Sequence, residues 1–180
     1  MSKELKVWLN VNPHQDRLRA KQYSAAIFQN LLREYHPSRG VFDVLRAKNG
    51  KPYVENGPHF SYTHCGRLHA YVIDDEPIGI DLERINGKRN IQGIAQRHYH
   101  EAEWQQMQNL ILAQQSPYFF KLWTQKEAWC KHQGGVLWYF LPQKVCESGL
   151  NYYHVNAIGD MACCLATTET VSRIDLNVVK

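Results

Sequence analysis

The hydrophobic and polar positions divide the chain into readable segments. KELKVWLNV, residues 3–11, reads as a strand. DRLRAKQYSAAIFQNLLREY, residues 16–35, carries apolar residues at Ala20, Tyr23, Ile27 and Leu31 with basic residues early, the pattern of an amphipathic helix. HPSRG breaks that helix, and NGKPYVENGP, residues 49–58, is rich in turn residues. FSYTHCGRLHAYVIDDEPIGIDLERI, residues 60–85, reads as strands joined by a Cys-Gly turn and an Asp-Asp-Glu-Pro hairpin. Residues 91–114 read as helix, as do residues 116–134, which Gly134-Gly135 brings to an end. From Val136 onward the pattern is mostly short strands and turns. Helix followed by paired strands ending in IDLE (80–83) recurs as helix followed by paired strands ending in IDLN (174–177), a hint of two similar lobes.

At 180 residues and 44% hydrophobic, the chain can bury a core without disulfide or metal. No apolar run is long enough to span a membrane, and MSKELKVWLN lacks the apolar stretch of a secretory signal. Five cysteines, at 65, 130, 146, 163 and 164, form no CxxC, so reduced thiols in a cytoplasmic protein are expected. Cys163 and Cys164 read as part of a buried strand, and Trp8, Trp104 and Trp138 as core or interface. The net charge of +4 is unevenly shared: residues 1–98 hold 15 Lys and Arg against 10 Asp and Glu, residues 99–180 hold 6 against 7. A basic first half suits an anionic partner. Its charges are scattered, and no zinc-finger, helix-turn-helix or RNP pattern accompanies them, which argues against nucleic acid.

Two stretches carry chemistry. In IGIDLE (78–83), Asp81 and Glu83 stand two apart, so on a strand both face one way while Ile80 and Leu82 face the other. Such a pair is either a solvated acidic edge or a site for a hard divalent cation such as magnesium or calcium. In WTQKEAWCK (123–131), Glu127 and Lys131 share a helix face, with Trp123 a turn earlier. An exposed Glu-Lys pair beside a packed Trp has the same spacing. Lys126, Glu127 and Lys131 together bring one acid and two cations to a small area, a set that phosphoryl chemistry uses.

Taken together, the two motifs resemble the 4′-phosphopantetheinyl transferases of the Sfp-like class. That family pairs (I/V)G(I/V)D(I/V)E with WxxKEAxxK about forty residues later, as IGIDLE and WTQKEAWCK do here. A third element, GKP followed by F-x-x-S-H-S-G, stands as GKP (50–52) and FSYTHCG (60–66), with threonine and cysteine replacing the two serines. The resemblance implies an α+β fold of two pseudo-symmetric lobes, 1–98 and a short 99–180, with a single domain as the alternative. It implies a Mg²⁺-dependent enzyme that moves the phosphopantetheine arm of coenzyme A onto a serine of an apo acyl or peptidyl carrier protein. By resemblance Asp81 and Glu83 are metal ligands, and Glu127 is either a third ligand or the base that takes the serine proton. Two flanking lysines that hold its pKa low would favour ligation. Lys131, then Lys126, would contact the pyrophosphate. His64 and Thr63 would bind a coenzyme A phosphate, and Gly50, Lys51 and Pro52 would form the adenine-side loop. Arg17 and Lys21, one helical turn apart, are candidates for the 3′-phosphate, or simply a solvated basic face. The carrier would dock on residues 84–99, with Ile91, Ile94 and Tyr99 offering apolar contact and Lys88, Arg89 and Arg97 offering charge. Those apolar residues could instead pack the helix down.

Two rivals differ in class: a non-catalytic carrier-binding relative, and a small basic nucleic-acid-binding domain. The intact Asp81, Glu83, Glu127 and Lys131 oppose the first; salt-sensitive oligonucleotide binding without coenzyme A affinity would mark the second. A monomer is expected from the two-lobed class.

Overall fold

Alternation builds the first sheet. Leu5 and Val7 of strand β1 (Lys3–Val11) share a face with Ala70 and Val72 of β5 (Leu68–Asp74), while Trp8, Tyr71 and Ile73 turn the other way. The computed structural model describes residues 3–86, 88–156 and 158–179. Helix α1 (Arg17–Tyr35) covers the Trp8 face with Ile27, Phe28, Leu31 and Leu32. Asp16 caps its start, its side chain accepting from the Arg19 N–H at 2.9 Å. A small hairpin, β2 (Val44–Arg46) with β3 (Pro52–Val54), follows, then β4 (His59–Cys65), which forms a hairpin with β5 across the Cys-Gly turn, Gly66 having a φ of 59°.

The expected hairpin at Asp74–Pro77 is not formed. Strand β5 already has β4 on one side and β1 on the other, and β6 (Ile78–Arg84) pairs instead with β8 (Met161–Thr167) in a second sheet. The turn therefore carries the chain from one sheet to the next. Lys3 holds it down through an ion pair with the buried Asp74 at 2.7 Å. Strand order is β4-β5-β1-β9 in the first sheet and β6-β8-β7 in the second, with β7 at Asn151–His154 and β9 at Val171–Val178. All pairs are antiparallel except β1 with β9. The two sheets face each other across Leu5, Val7, Ala70 and Val72 on one side and Ile78, Ile80, Leu82, Cys163 and Leu165 on the other. A cut at residue 98 would take β9 from one sheet and β6 from the other.

The expected helix over 91–114 is broken in two: α2 (Ile91–His98) and α3 (Glu101–Gln108). Tyr99 is extended, and the His100 side chain accepts from the Ala102 N–H, starting a new helix. Helix α4 (Leu112–Gln133) begins earlier than the pattern implied and tolerates Pro117 in its second turn. After Gly134 a short helix α5 (Leu137–Phe140) stands where strands and turns were expected. All five cysteines are free thiols, and among the described residues no helix is long and apolar enough to cross a membrane.

Helix α4 covers the outer face of the second sheet, and glycine lets it close in. A Cβ on Gly79 would lie 2.0 Å from the Ala128 carbonyl oxygen and 2.7 Å from the His132 nitrogen, both backbone atoms. Gly79→Ala should therefore push α4 off β6. We expect a loss of about 3 kcal/mol or more, read as a drop in Tm of roughly 10 °C. A wild-type melting curve would show that the helix is free to shift.

Candidate active site

The odd-numbered side chains of β6, on the side of Gly79, look at α4. There Trp123, Glu127 and Lys131 follow one another at intervals of four, so helix and strand place three carboxylates and an ammonium together. Lys131 Nζ stands 2.6 Å from Asp81 Oδ1, and the Thr63 hydroxyl donates to the same oxygen at 3.0 Å. Asp81 is 4% exposed, and its second oxygen, Oδ2, is buried without a hydrogen-bond partner.

Negative charge is in excess here. Burial, joined by the charge of Asp81 and opposed by Lys131, raises the Glu127 carboxyl to about 7. Burial also raises Glu83, with Arg89 opposing it and Asp81 adding to it. Contrary to expectation, two lysines do not hold Glu127 low, and of the two only Lys131 acts on it. Lys126 leaves the site altogether: it is wholly buried on another face of α4, 2.6 Å from Glu103, and donates to the Gln143 carbonyl. Glu103 in turn accepts from the Val145 N–H at 2.9 Å. Helical geometry requires this separation, because positions 126 and 127 point about 100° apart.

The all-oxygen donor set and the orphaned Asp81 Oδ2 fit a hard cation such as magnesium, which takes one or two protein carboxylates and completes its shell with phosphate and water. Among the described residues no three His, Cys, Asp or Glu side chains stand close enough to hold an ion by themselves. Asp81 and Glu83 are the pair that fits; the three-carboxylate set with Glu127 is not a preformed cage.

Beside Lys131 opens a cleft of about 240 Å³, lined by Arg46, Gly50, Lys51, Pro52, Tyr62 and Gly134 among others. The free edge of β4 forms one wall and the GKP loop the other. That loop is latched to the end of α4: Asn49 Nδ2 donates to the Gln133 carbonyl at 3.1 Å, and Lys51 Nζ donates to the His132 carbonyl. Gly134, at φ 79°, makes the latch feasible, since a Cβ there would meet the Asn49 side chain at 2.4 Å. Burial lowers the Lys51 ammonium to about 8.

Thr63 and His64 do not act as one unit. Neighbours on a strand face opposite sides, so Thr63 turns to β6 and donates a hydrogen bond to Asp81, while His64 stacks on His69 at 5.0 Å on the α1 side. His64 shares its face of β4 with Tyr62 of the cleft. Arg17 and Lys21 are exposed on the stripe of α1 that continues through Ser24, whose hydroxyl lies 3.4 Å from His69 Nδ1. Of the expected docking residues, Tyr99 belongs to the core: it is 6% exposed, stacks on Phe119, and donates to the Phe119 carbonyl at 3.1 Å. Ile91 and Ile94 are half-buried against the same cluster, and Gly87 of that segment lies outside the described residues. Trp138, expected in the core or an interface, is exposed on α5, 4.9 Å from His98 of α2, beside an exposed Tyr139 that the sequence pattern did not single out. Sequence reasoning also assigned Arg89 only to docking, although Arg89 Nη1 lies 3.7 Å from Glu83 Oε1.

Residues 77–166, half of the chain, match the model of the 4′-phosphopantetheinyl transferase superfamily. A 4′-phosphopantetheinyl transferase of Bacillus subtilis is 38% identical over 87 residues, 47% of this chain and 38% of that protein. The 4′-phosphopantetheinyl transferase psf-1 of Bacillus pumilus is 39% identical over 95 residues, 52% of this chain and 40% of that protein. AcpT of Escherichia coli K12, also a 4′-phosphopantetheinyl transferase, is 27% identical over 135 residues, 72% of this chain and 69% of that protein. The chain thus spans about two-fifths of the length of the Bacillus relatives it matches. With the matched span running from the β6 acids through the Glu127–Lys131 face of α4, the chain belongs to the 4′-phosphopantetheinyl transferase superfamily.

Proposed function

We propose that this protein transfers the 4′-phosphopantetheine arm of coenzyme A to a serine of an apo acyl or peptidyl carrier protein, with Mg²⁺, releasing adenosine 3′,5′-bisphosphate. The observation that carries it is the Asp81–Lys131 contact of 2.6 Å beside a cleft edged by the GKP loop. Coenzyme A would enter that cleft, its adenine side against Gly50, Lys51 and Pro52, and its 3′-phosphate towards His64, Arg17 and Lys21. Lys131 would then meet the pyrophosphate at the inner end. Asp81 and Glu83 would hold Mg²⁺, which when bound neutralises charge on the phosphate oxygens. Thr63 orients Asp81 by donating to it.

Chemically, the serine oxygen bonds to the β-phosphorus, and the bond from that phosphorus to the bridging oxygen breaks. The bridging oxygen keeps the electron pair and leaves on the bisphosphate. The serine proton goes to Glu127, the α4 carboxylate that stands with Lys131 beside the acids of β6. Lys126 has no part in this: it braces α4 against Glu103. The carrier would approach along residues 84–99, where Lys88 and Arg97 are exposed, with Trp138 and Tyr139 extending the apolar contact. The protein would work as a cytoplasmic monomer. Sheet order supports the two-lobe reading: hairpin β4–β5 shares its sheet with β9 from the other half, and hairpin β7–β8 shares its own with β6.

Incubation with coenzyme A, Mg²⁺ and an apo carrier protein should add the mass of the arm to the carrier's serine. A carrier of unchanged mass, bound but unmodified, would instead identify a non-catalytic relative.

A further inference from the structure

Phosphoryl transfer asks for cationic groups around the moving charge, and Lys126 does not supply one, its ammonium being engaged with Glu103 inside the protein. Arg89 is placed to do so. It lies in the segment between β6 and α2, and its guanidinium carbon sits 4.8 Å from the ring centre of Trp123 and 5.7 Å from that of Phe120. Two aromatic rings of α4 therefore hold the group before any ligand arrives. Its Nη1 is buried and has no hydrogen-bond partner; Glu83 Oε1, at 3.7 Å, is beyond bonding range. A buried donor without an acceptor is a place where an anionic oxygen is favoured.

The order of groups adds to this. Phe120, Trp123, Glu127 and Lys131 follow one another along α4, so Arg89 marks one end of the acidic row and Lys131 the other, with Glu83 and Asp81 between. We infer that Arg89 is a second substrate-contacting cation of this centre, taking a non-bridging oxygen of the coenzyme A pyrophosphate that Lys131 meets from the opposite end. The inference rests on the transferase reading and deepens it. A guanidinium suits the task because its planar fork can stack on a ring and still donate to a phosphate.

The test uses Arg89→Met, which keeps apolar cover over Trp123 without charge, and Arg89→Lys, which keeps charge without the fork. Calorimetric binding of coenzyme A, with and without Mg²⁺, and kcat/KM for transfer are measured on each. Arg89→Met should lose about 10- to 100-fold in both, the worth of one charge-assisted hydrogen bond, and Arg89→Lys should recover only a small part. The same loss is expected with 3′-dephospho-coenzyme A, because the 3′-phosphate belongs to the distant His64 end. Unchanged coenzyme A binding in Arg89→Met, or a loss confined to KM for the carrier, would overturn the assignment in favour of a docking charge. A wild type that neither binds coenzyme A nor modifies the carrier would overturn the function itself, whereas an active wild type matched by Arg89→Met overturns only this role.

Discussion

Asp81→Ala is expected to abolish transfer while the protein stays folded. Asp81 is where the site's contacts converge: it accepts from Thr63, faces Lys131 at 2.6 Å, and keeps one buried oxygen without a partner. Its removal takes away an anionic ligand for the cation and the group that fixes Lys131. The fold should survive because the Lys131 side chain is 29% exposed and can be solvated, so no wholly buried charge is stranded. Thr63 loses an acceptor, a cost of about 1–3 kcal/mol. Mass spectrometry of the carrier and a thermal melt read the two halves of this expectation. A folded variant that modifies the carrier at the wild-type rate under saturating Mg²⁺ would remove Asp81 from the mechanism. Since the Asp81 charge helps raise Glu127, the variant should also show a lower Glu127 pKa.

Glu127→Gln should lower the rate about 10²- to 10⁴-fold, the usual worth of a positioned base, and added Mg²⁺ should not restore it. Recovery at high Mg²⁺ would make Glu127 a ligand instead. Its pKa carries a second, independent expectation. The group moves from an ordinary value of 4.5 to about 7 on folding, so its contribution to stability is full below pH 4.5 and is lost as pH rises through about 7. Ligand-free wild type should therefore lose more stability between pH 5 and pH 8 than Glu127→Gln does. The difference between the two melting curves isolates this carboxyl from other titrating groups, such as His132, which burial lowers to about 4. At pH 8 the inactive variant should melt higher than the wild type. Parallel melting curves would contradict the raised pKa.

Much of this site is legible in the sequence alone, and the reason is range. Asp81 with Glu83, and Glu127 with Lys131, are related by the period of a single element, and period can be read locally. Helix α1 is equally open to reading, from its stripe through Ile27 and Leu31. What escaped depends on partners far along the chain. Lys126 looked like a second catalytic cation until Glu103, twenty-three positions earlier, claimed it. Arg89 looks like a surface charge because Trp123 and Phe120, which hold it, lie more than thirty positions later on α4. The Asp74–Pro77 turn looked like a hairpin because nothing nearby reveals that β5 is already paired on both sides. Tyr99 looked like an interface residue for the same reason: its acceptor is the carbonyl of Phe119.

The parallel pairing of β1 with β9 has a consequence for biosynthesis. Lys3 lies opposite Val171 and Leu9 opposite Val178, so β1, though made much earlier, must wait for β9 to be made. Until then β1 can pair only with β5, and its other edge stays open to strands of neighbouring chains. A chain halted before residue 171 would hold the whole acidic row and α4 yet carry that edge uncovered. Such a product should aggregate rather than work slowly, and late truncations should be harsher on yield than their distance from the catalytic groups implies.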